Sequence, residues 1–216
     1  MRQTVLTAAA IAVAATLASS ASAGVSITAT TSAAPTYSTV LNFDQPGEPT
    51  GTVPSNSWAS FGISSLVGGA DSAYVGQFNN QPGYGWLGNG NVAAAAWGLY
   101  ITFSTPVTSF SCQYWDDSGP ASFFGGGAAV IAYPTPYNGN NFQELFENNP
   151  AYGGIGASWI NITTTGGTTI SEIDFVGFGD FPTAYIDNLS WTPAPAPGTA
   201  GLLGLGGIAM IRRRRA

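Results

Sequence analysis

The chain of 216 residues contains no histidine and no lysine, and its five basic residues are Arg2 and the run Arg212 to Arg215. From Gln3 to Ile211 there is no cationic side chain, yet all the acids lie in that stretch, so the net charge of −6 understates how acidic the body of the protein is. Recognition of phosphates and nucleic acid rests on charge-assisted contacts from Arg or Lys, which this body does not have. Without imidazole there is no Ser-His-Asp or Cys-His machinery. Catalysis would have to run on carboxylates, hydroxyls or an oxygen-bound metal. The single cysteine, Cys112, allows no intramolecular disulfide, and its flank Phe110-Ser111 marks it as a small buried residue.

Charged residues make up only 7% of the chain, against 44% hydrophobic and 12% aromatic. That is enough apolar surface to fold, and it leaves the exterior to Asn, Ser, Thr, Gln and Gly, as in secreted and matrix β-proteins. At the N terminus, Arg2, the apolar run Val5 to Leu17 and the small residues Ala21-Ser22-Ala23 make a secretory signal over residues 1–23, with cleavage between Ala23 and Gly24. The run is roughly 20 Å long as a helix, too short to span a bilayer of about 30 Å comfortably.

Residues 24–192 suffice for one domain with its own core. Short β-branched and aromatic runs separated by Gly, Pro and Asn predict about nine strands: Tyr37 to Phe43, Ser57 to Leu66, Ala73 to Phe78, Gly98 to Phe103, Thr108 to Trp115, Ala128 to Tyr133, Ser158 to Thr164, Ile170 to Phe178 and Ala184 to Trp191. The expected fold is all-β, a single β-sandwich or jelly roll, flanked by the N-terminal signal helix and a C-terminal transmembrane helix. One helix is predicted inside the domain, Phe142 to Asn148, with Asn141 as its cap and Glu144 closing a capping box.

After Trp191 the composition changes. Residues 193–197 are a Pro/Ala linker, 198–211 an uncharged short transmembrane helix, and 212–216 a basic tail that the positive-inside rule holds in the cytoplasm. The combination of Pro195-Ala196-Pro197, Leu202-Leu203-Gly204-Leu205-Gly206-Gly207 and the cluster Arg212, Arg213, Arg214, Arg215 resembles the PEP-CTERM sorting signal of secreted bacterial proteins. Ala196 stands where that signal carries Glu. The resemblance implies an exported protein handled by signal peptidase and by an exosortase-type sorting protease, held in the membrane by its C-terminal helix and then placed at the cell surface or outside the cell. Leu41-Asn42-Phe43-Asp44, Ile101 to Phe110 and Tyr185 to Trp191 are similar to strands of the lectin-like sandwich domains often carried by such tagged proteins.

First and last strands commonly neighbour each other in such folds, which would bring Asp44 towards Asp187 and Asn188. Those oxygens suit Ca²⁺, which takes 6 to 8 oxygen ligands, and a cation would supply the counter-charge that the domain has no Lys or Arg to give. The same acids equally serve as turn residues bonded to backbone amides. Tyr114, Trp115, Asp116 and Asp117 put two rings and two carboxylates together as a candidate site for extracellular polysaccharide, with Trp58, Trp86, Trp97 and Tyr84 as further platforms. The alternative is that these rings are core anchors. The expected function is a non-enzymatic surface or extracellular-matrix protein, with a calcium-assisted carbohydrate-binding module as the alternative. A glycoside hydrolase needs only two carboxylates, but no pair stands out in the sequence.

Overall fold

The structure, a computed structural model, describes residues 24–30, 32–78, 87, 90–116, 127–147, 158–178 and 183–196. The signal over 1–23, Pro197, the segment 198–211 and the tail 212–216 lie outside the described residues. Asp117, Tyr84 and Trp86 lie outside them too.

The described chain is all-β and forms no α-helix. Twelve strands replace the nine expected: β1 (Gly24–Thr30), β2 (Thr39–Leu41), β3 (Gly51–Thr52), β4 (Ile63–Gly68), β5 (Tyr74–Gly76), β6 (Val92–Ala96), β7 (Leu99–Asp116), β8 (Gly127–Thr135), β9 (Gln143–Glu147), β10 (Ser158–Thr165), β11 (Thr169–Phe178) and β12 (Thr183–Pro193). Every pairing is antiparallel.

The two strands expected at Gly98 to Phe103 and Thr108 to Trp115 are one strand, β7, which serves as the spine. Its first part, Leu99 to Phe103, lies between β4 and β11, and its second part, from Val107 on, lies between β10 and β12. Between these parts the register against β11 slips, with Ile170 opposite Val107 and Glu172 opposite Thr102. The slip takes in Pro106, which has no N–H for a ladder; its carbonyl instead accepts from the Ala194 N–H at 2.7 Å. One layer therefore runs β4-β7-β11-β8-β9. The other runs β1-β10-β7-β12-β6-β5-β3, with β2 beside the far half of β12.

One hydrophobic core joins these layers, with Ile101, Val130 and Ile173 on one side and Phe110, Ile160 and Leu189 on the other. Phe175 of β11 reaches Phe110 at 6.1 Å and Tyr114 at 5.3 Å across it. Cys112 is fully buried there, and burial pushes its thiol well up, with the charge of Asp187 adding to the effect. A second, smaller cluster of Leu87, Val92, Ala94, Trp115 and Tyr185 covers the other face of β12.

The helix expected at Phe142 to Asn148 is instead β9, whose Leu145 pairs with Val130 of β8 and packs on the core. A single short turn of helix is costly to nucleate, whereas this segment finds a ready edge. Asn141 caps a turn rather than a helix: its Oδ1 accepts from the Asn138 N–H at 3.0 Å and its Nδ2 donates to the Pro136 carbonyl at 2.9 Å.

Candidate functional site

Strand β2 runs antiparallel to β12, with Leu41 opposite Leu189, so the residues after β2 lie beside the middle of the closing strand. Both chains depart from regular geometry there. Phe43 sits at φ 58 and Asn188 at φ 50, left-handed values that cost a non-glycine residue about 1–3 kcal/mol unless the surroundings fix them. Phe43 is fixed by burying its ring edge-on against Trp58 at 5.3 Å. Asn188 forms a β-bulge, because Asp187 pairs with Gln113 and Ser190 with Ser111, and the register between them shifts.

The backbone thereby turns Asp44 outward and Asp187 inward. Asp44 Oδ1 accepts from the Asn91 N–H at 2.6 Å, while Asn91 Nδ2 donates to the Phe43 carbonyl at 3.1 Å. Gly90 lies against the same carboxylate, since a Cβ at that position would stand 1.9 Å from Asp44 Oδ2. Asp187 is 3% exposed. Its two oxygens accept from the Asn188 N–H at 2.6 Å and Asn188 Nδ2 at 3.1 Å, and the same Nδ2 donates to Gln113 Oε1. Burial pushes the Asp187 carboxyl up to about 7, opposed by the Asn188 N–H and reinforced by the charge of Asp44. The three expected residues Asp44, Asp187 and Asn188 thus gather at one corner.

Two residues that the sequence reading missed belong to the same corner. Gln45 Oε1 and both oxygens of Glu48 are enclosed, with a main-chain hydrogen bond at Gln45 as the one donor to the Glu48 carboxyl. Burial raises the Glu48 carboxyl, opposed by the main-chain hydrogen bond at Gln45 and reinforced by the charge of Asp44. The signal for them was local: Gln45 and Glu48 follow Asp44 within one turn, and the Glu48 N–H donates to the Gln45 carbonyl at 3.1 Å. Among the described residues no three His, Cys, Asp or Glu side chains converge as a ready cage. A cation here would draw on amide and main-chain oxygens beside the carboxylates, as calcium does and zinc does not.

Of the carbohydrate platform expected at Tyr114, Trp115, Asp116 and Asp117, the two rings are buried, while Asp117 and the Asp116 side chain lie outside the described residues. Because β7 continues to Asp116, its side chains alternate between the two cores: Tyr114 is fully buried against Phe175, and Trp115, 8% exposed, stacks on Tyr185 at 4.7 Å. Asp116 pairs along the backbone with Ala184. Trp58 is buried as well, whereas Trp97 is 54% exposed. Of the sorting motif, Pro195 and Ala196 are exposed and line an open depression of about 490 Å³ with Thr164, Gly166 and Thr168. Gly24 opens β1 opposite Thr165; Ala21 and Ala23 lie outside the described residues.

A second acidic group occupies the outward face of the other layer. Asp174 pairs with Tyr100 on one side and Ile131 on the other, and Glu172 pairs with Thr102 and Tyr133. Asp174 is 9% exposed, and its Oδ1 makes no hydrogen bond. Burial first, then the charge of Glu172, push its carboxyl up to about 7, against a hydrogen bond from Tyr133.

No protein-family model matches the chain, and no curated protein matches it. Among solved structures the chain is similar to TmCBM61, determined in complex with β-1,4-galactotriose, at 9% identity over 60% of this chain and 87% of that one, with a TM-score of 0.29. It is similar to the K2 cleaved adhesin domain of Lys-gingipain at 13% identity over 77% of this chain and 99% of that one, with a TM-score of 0.36. Likeness at that level carries no weight for ligand or activity, and the function must be read from this chain's own residues.

Proposed function

We propose that the chain is an exported, non-enzymatic surface or matrix protein whose β-sandwich is latched by a calcium-type cation between the loop after β2 and the closing strand β12. The observation that carries the latch is the set of enclosed oxygens Gln45 Oε1 and Glu48 Oε1 and Oε2, served by one main-chain donor between them, beside Asp44 and the buried Asp187. An enclosed acceptor without a donor costs roughly 1–3 kcal/mol, and this domain has no Lys, Arg or His to supply one. A divalent cation that draws on some of these oxygens would supply the missing positive charge.

Export and sorting rest on the signal over 1–23 and on the Pro195-Ala196-Pro197, apolar and arginine pattern of the tail. They predict that the mature protein begins at Gly24 and passes through a membrane-held stage, with signal peptidase and an exosortase-type protease as partners. Mass spectrometry of both termini, with fractionation of cells, tests this part.

The latch is tested by thermal melts of the full chain in detergent, from EDTA through a calcium titration. With a dissociation constant on the order of 10⁻⁴ M, 10 mM calcium stabilises by about 2.7 kcal/mol through mass action, or roughly 5–11 °C for a domain of this size. Asp187→Ala and Asp44→Ala should each abolish the rise. A melting point that stays flat up to 10 mM calcium removes the site.

A further inference from the structure

The outward face of β7, β11 and β8 has no role in the latch, and nothing below depends on the cation. Its centre is Asp174, nine-tenths buried although it points away from the core, with Oδ1 lacking any hydrogen-bond partner. Its carboxyl meets the Tyr133 hydroxyl and the Glu172 carboxyl. A carboxylate accepts and a carboxylic acid also donates, so two carboxyls side by side can offer a hydroxyl group either kind of partner.

Aromatic rings border the pair. Tyr133 meets Tyr137 edge-on at 5.3 Å and an interplanar angle of 84°, and lies 6.2 Å from Phe142 at 38°. Tyr137 is 50% exposed and Phe142 38%. The loop that carries them is braced by its asparagines: besides the bonds of Asn141, Asn138 Oδ1 accepts from the Asn140 N–H at 3.0 Å. Rings held on a braced loop lose little freedom when a ligand arrives. Charge narrows the choice of ligand. With no cation between Gln3 and Ile211, the face cannot neutralise a phosphate, a uronate or a nucleic acid. A pair of neighbouring carboxyls also makes a poor centre for an apolar protein interface, because its desolvation would go unrewarded. A neutral polyol answers each feature, since its C–H face lies on a ring while each hydroxyl donates and accepts.

We propose that this face, with the loop 136–142, is a binding platform for a neutral saccharide, in which Tyr137 and Phe142 stack on a sugar ring and Asp174 and Glu172 hydrogen-bond its hydroxyls. Calorimetric titration of the full chain in detergent with cellohexaose, mannohexaose and β-1,4-galactohexaose should give saturable binding to at least one of them. Tyr137→Ala and Phe142→Ala, on an exposed loop, should each weaken it about tenfold while the melting point stays unchanged. Glu172→Gln, which keeps the size of the side chain, should weaken it as well. Absence of binding to all three sugars overturns the proposal, as does binding that these three variants leave intact. Tighter binding of hexalysine than of any sugar would assign the face to a basic peptide and overturn it too.

Discussion

Replacing Asp174 with asparagine should remove a penalty that the folded protein carries only above acid pH. Burial is the main reason its carboxyl is held at about 7 instead of 3.8, and the negative field of Glu172 is the second. Between those values the folded state keeps a proton that the unfolded chain has released, so stability falls as pH rises from about 4 to about 7 and stays low above that window. Below 3.8 both states are protonated and the penalty is absent. A shift of about 3 units at roughly 1.36 kcal/mol each sets a ceiling of about 4 kcal/mol. The residue lies on an outward sheet face, where solvent screening reduces this to about 2 kcal/mol. The substituted amide cannot ionise, so the Asp174→Asn variant should melt with the wild type at about pH 4 and roughly 4–8 °C above it at about pH 8. Asp187, which burial also holds at about 7, keeps its own share of the slope in the variant, so the pH dependence shrinks without vanishing. Scanning calorimetry across that pH range in EDTA reads the difference directly. Parallel curves for the two proteins would refute the assignment of the slope to Asp174.

Other perturbations probe the rest of the architecture. Gly90→Ala would push a methyl group into Asp44 Oδ2, which stands 1.9 Å from that point. The displaced carboxylate should lose its bond from Asn91, at a cost of about 1.5–3 kcal/mol, and with it the calcium response of the melting point. Trp58→Ala empties a fully buried site that also holds Phe43 in its left-handed conformation, and urea titration should show a loss of about 3–5 kcal/mol. Trypsin should leave the domain whole even after unfolding, because no Lys or Arg lies between Gln3 and Ile211; an internal tryptic fragment on a gel would contradict the translated sequence.

How far the sequence could be read depended on which residue types announce themselves. Val, Ile, Phe and Trp mark β8, β10, β11 and β12 because their packing preference and their burial coincide. Strand β6 went unseen because Val92-Ala93-Ala94-Ala95-Ala96 has poor β-propensity; it is a strand only because β5 and β12 hold it on both edges. Pro106 suggested a break where the chain bends without ending. Asn141 and Glu144 imitate a helix start, but the side-chain amide of Asn141 serves a turn equally well and Leu145 belongs in the core. Asp44 comes towards Asp187 because β2 lies beside β12, whereas the first strand, β1, pairs with β10 and not with the last. Glu48 and Gln45 were legible only as chain neighbours of Asp44, because their enclosure depends on tertiary packing. Between a platform and core anchors, Tyr114 and Trp115 are core anchors, because both faces of β7 are covered at that end and alternation leaves neither ring outward. Asp174 gave no sign, since alternation along β11 sends it outward and only its neighbours on the sheet face bury it.

The position of β12 has a mechanical consequence. Any pull on the C terminus enters the domain through Pro193 and runs along a strand hydrogen-bonded to β7 on one side and to β2 and β6 on the other. Such a load shears rows of bonds together instead of opening them one at a time, and yielding to it is governed by the unfolding rate more than by the equilibrium. β7 passes that load into both layers, because its first half is gripped by β4 and β11. A protein held at that end would resist tension through all the strands that β7 ties together, and a cation seated between Asp44 and Asp187 would lie directly on the line of force.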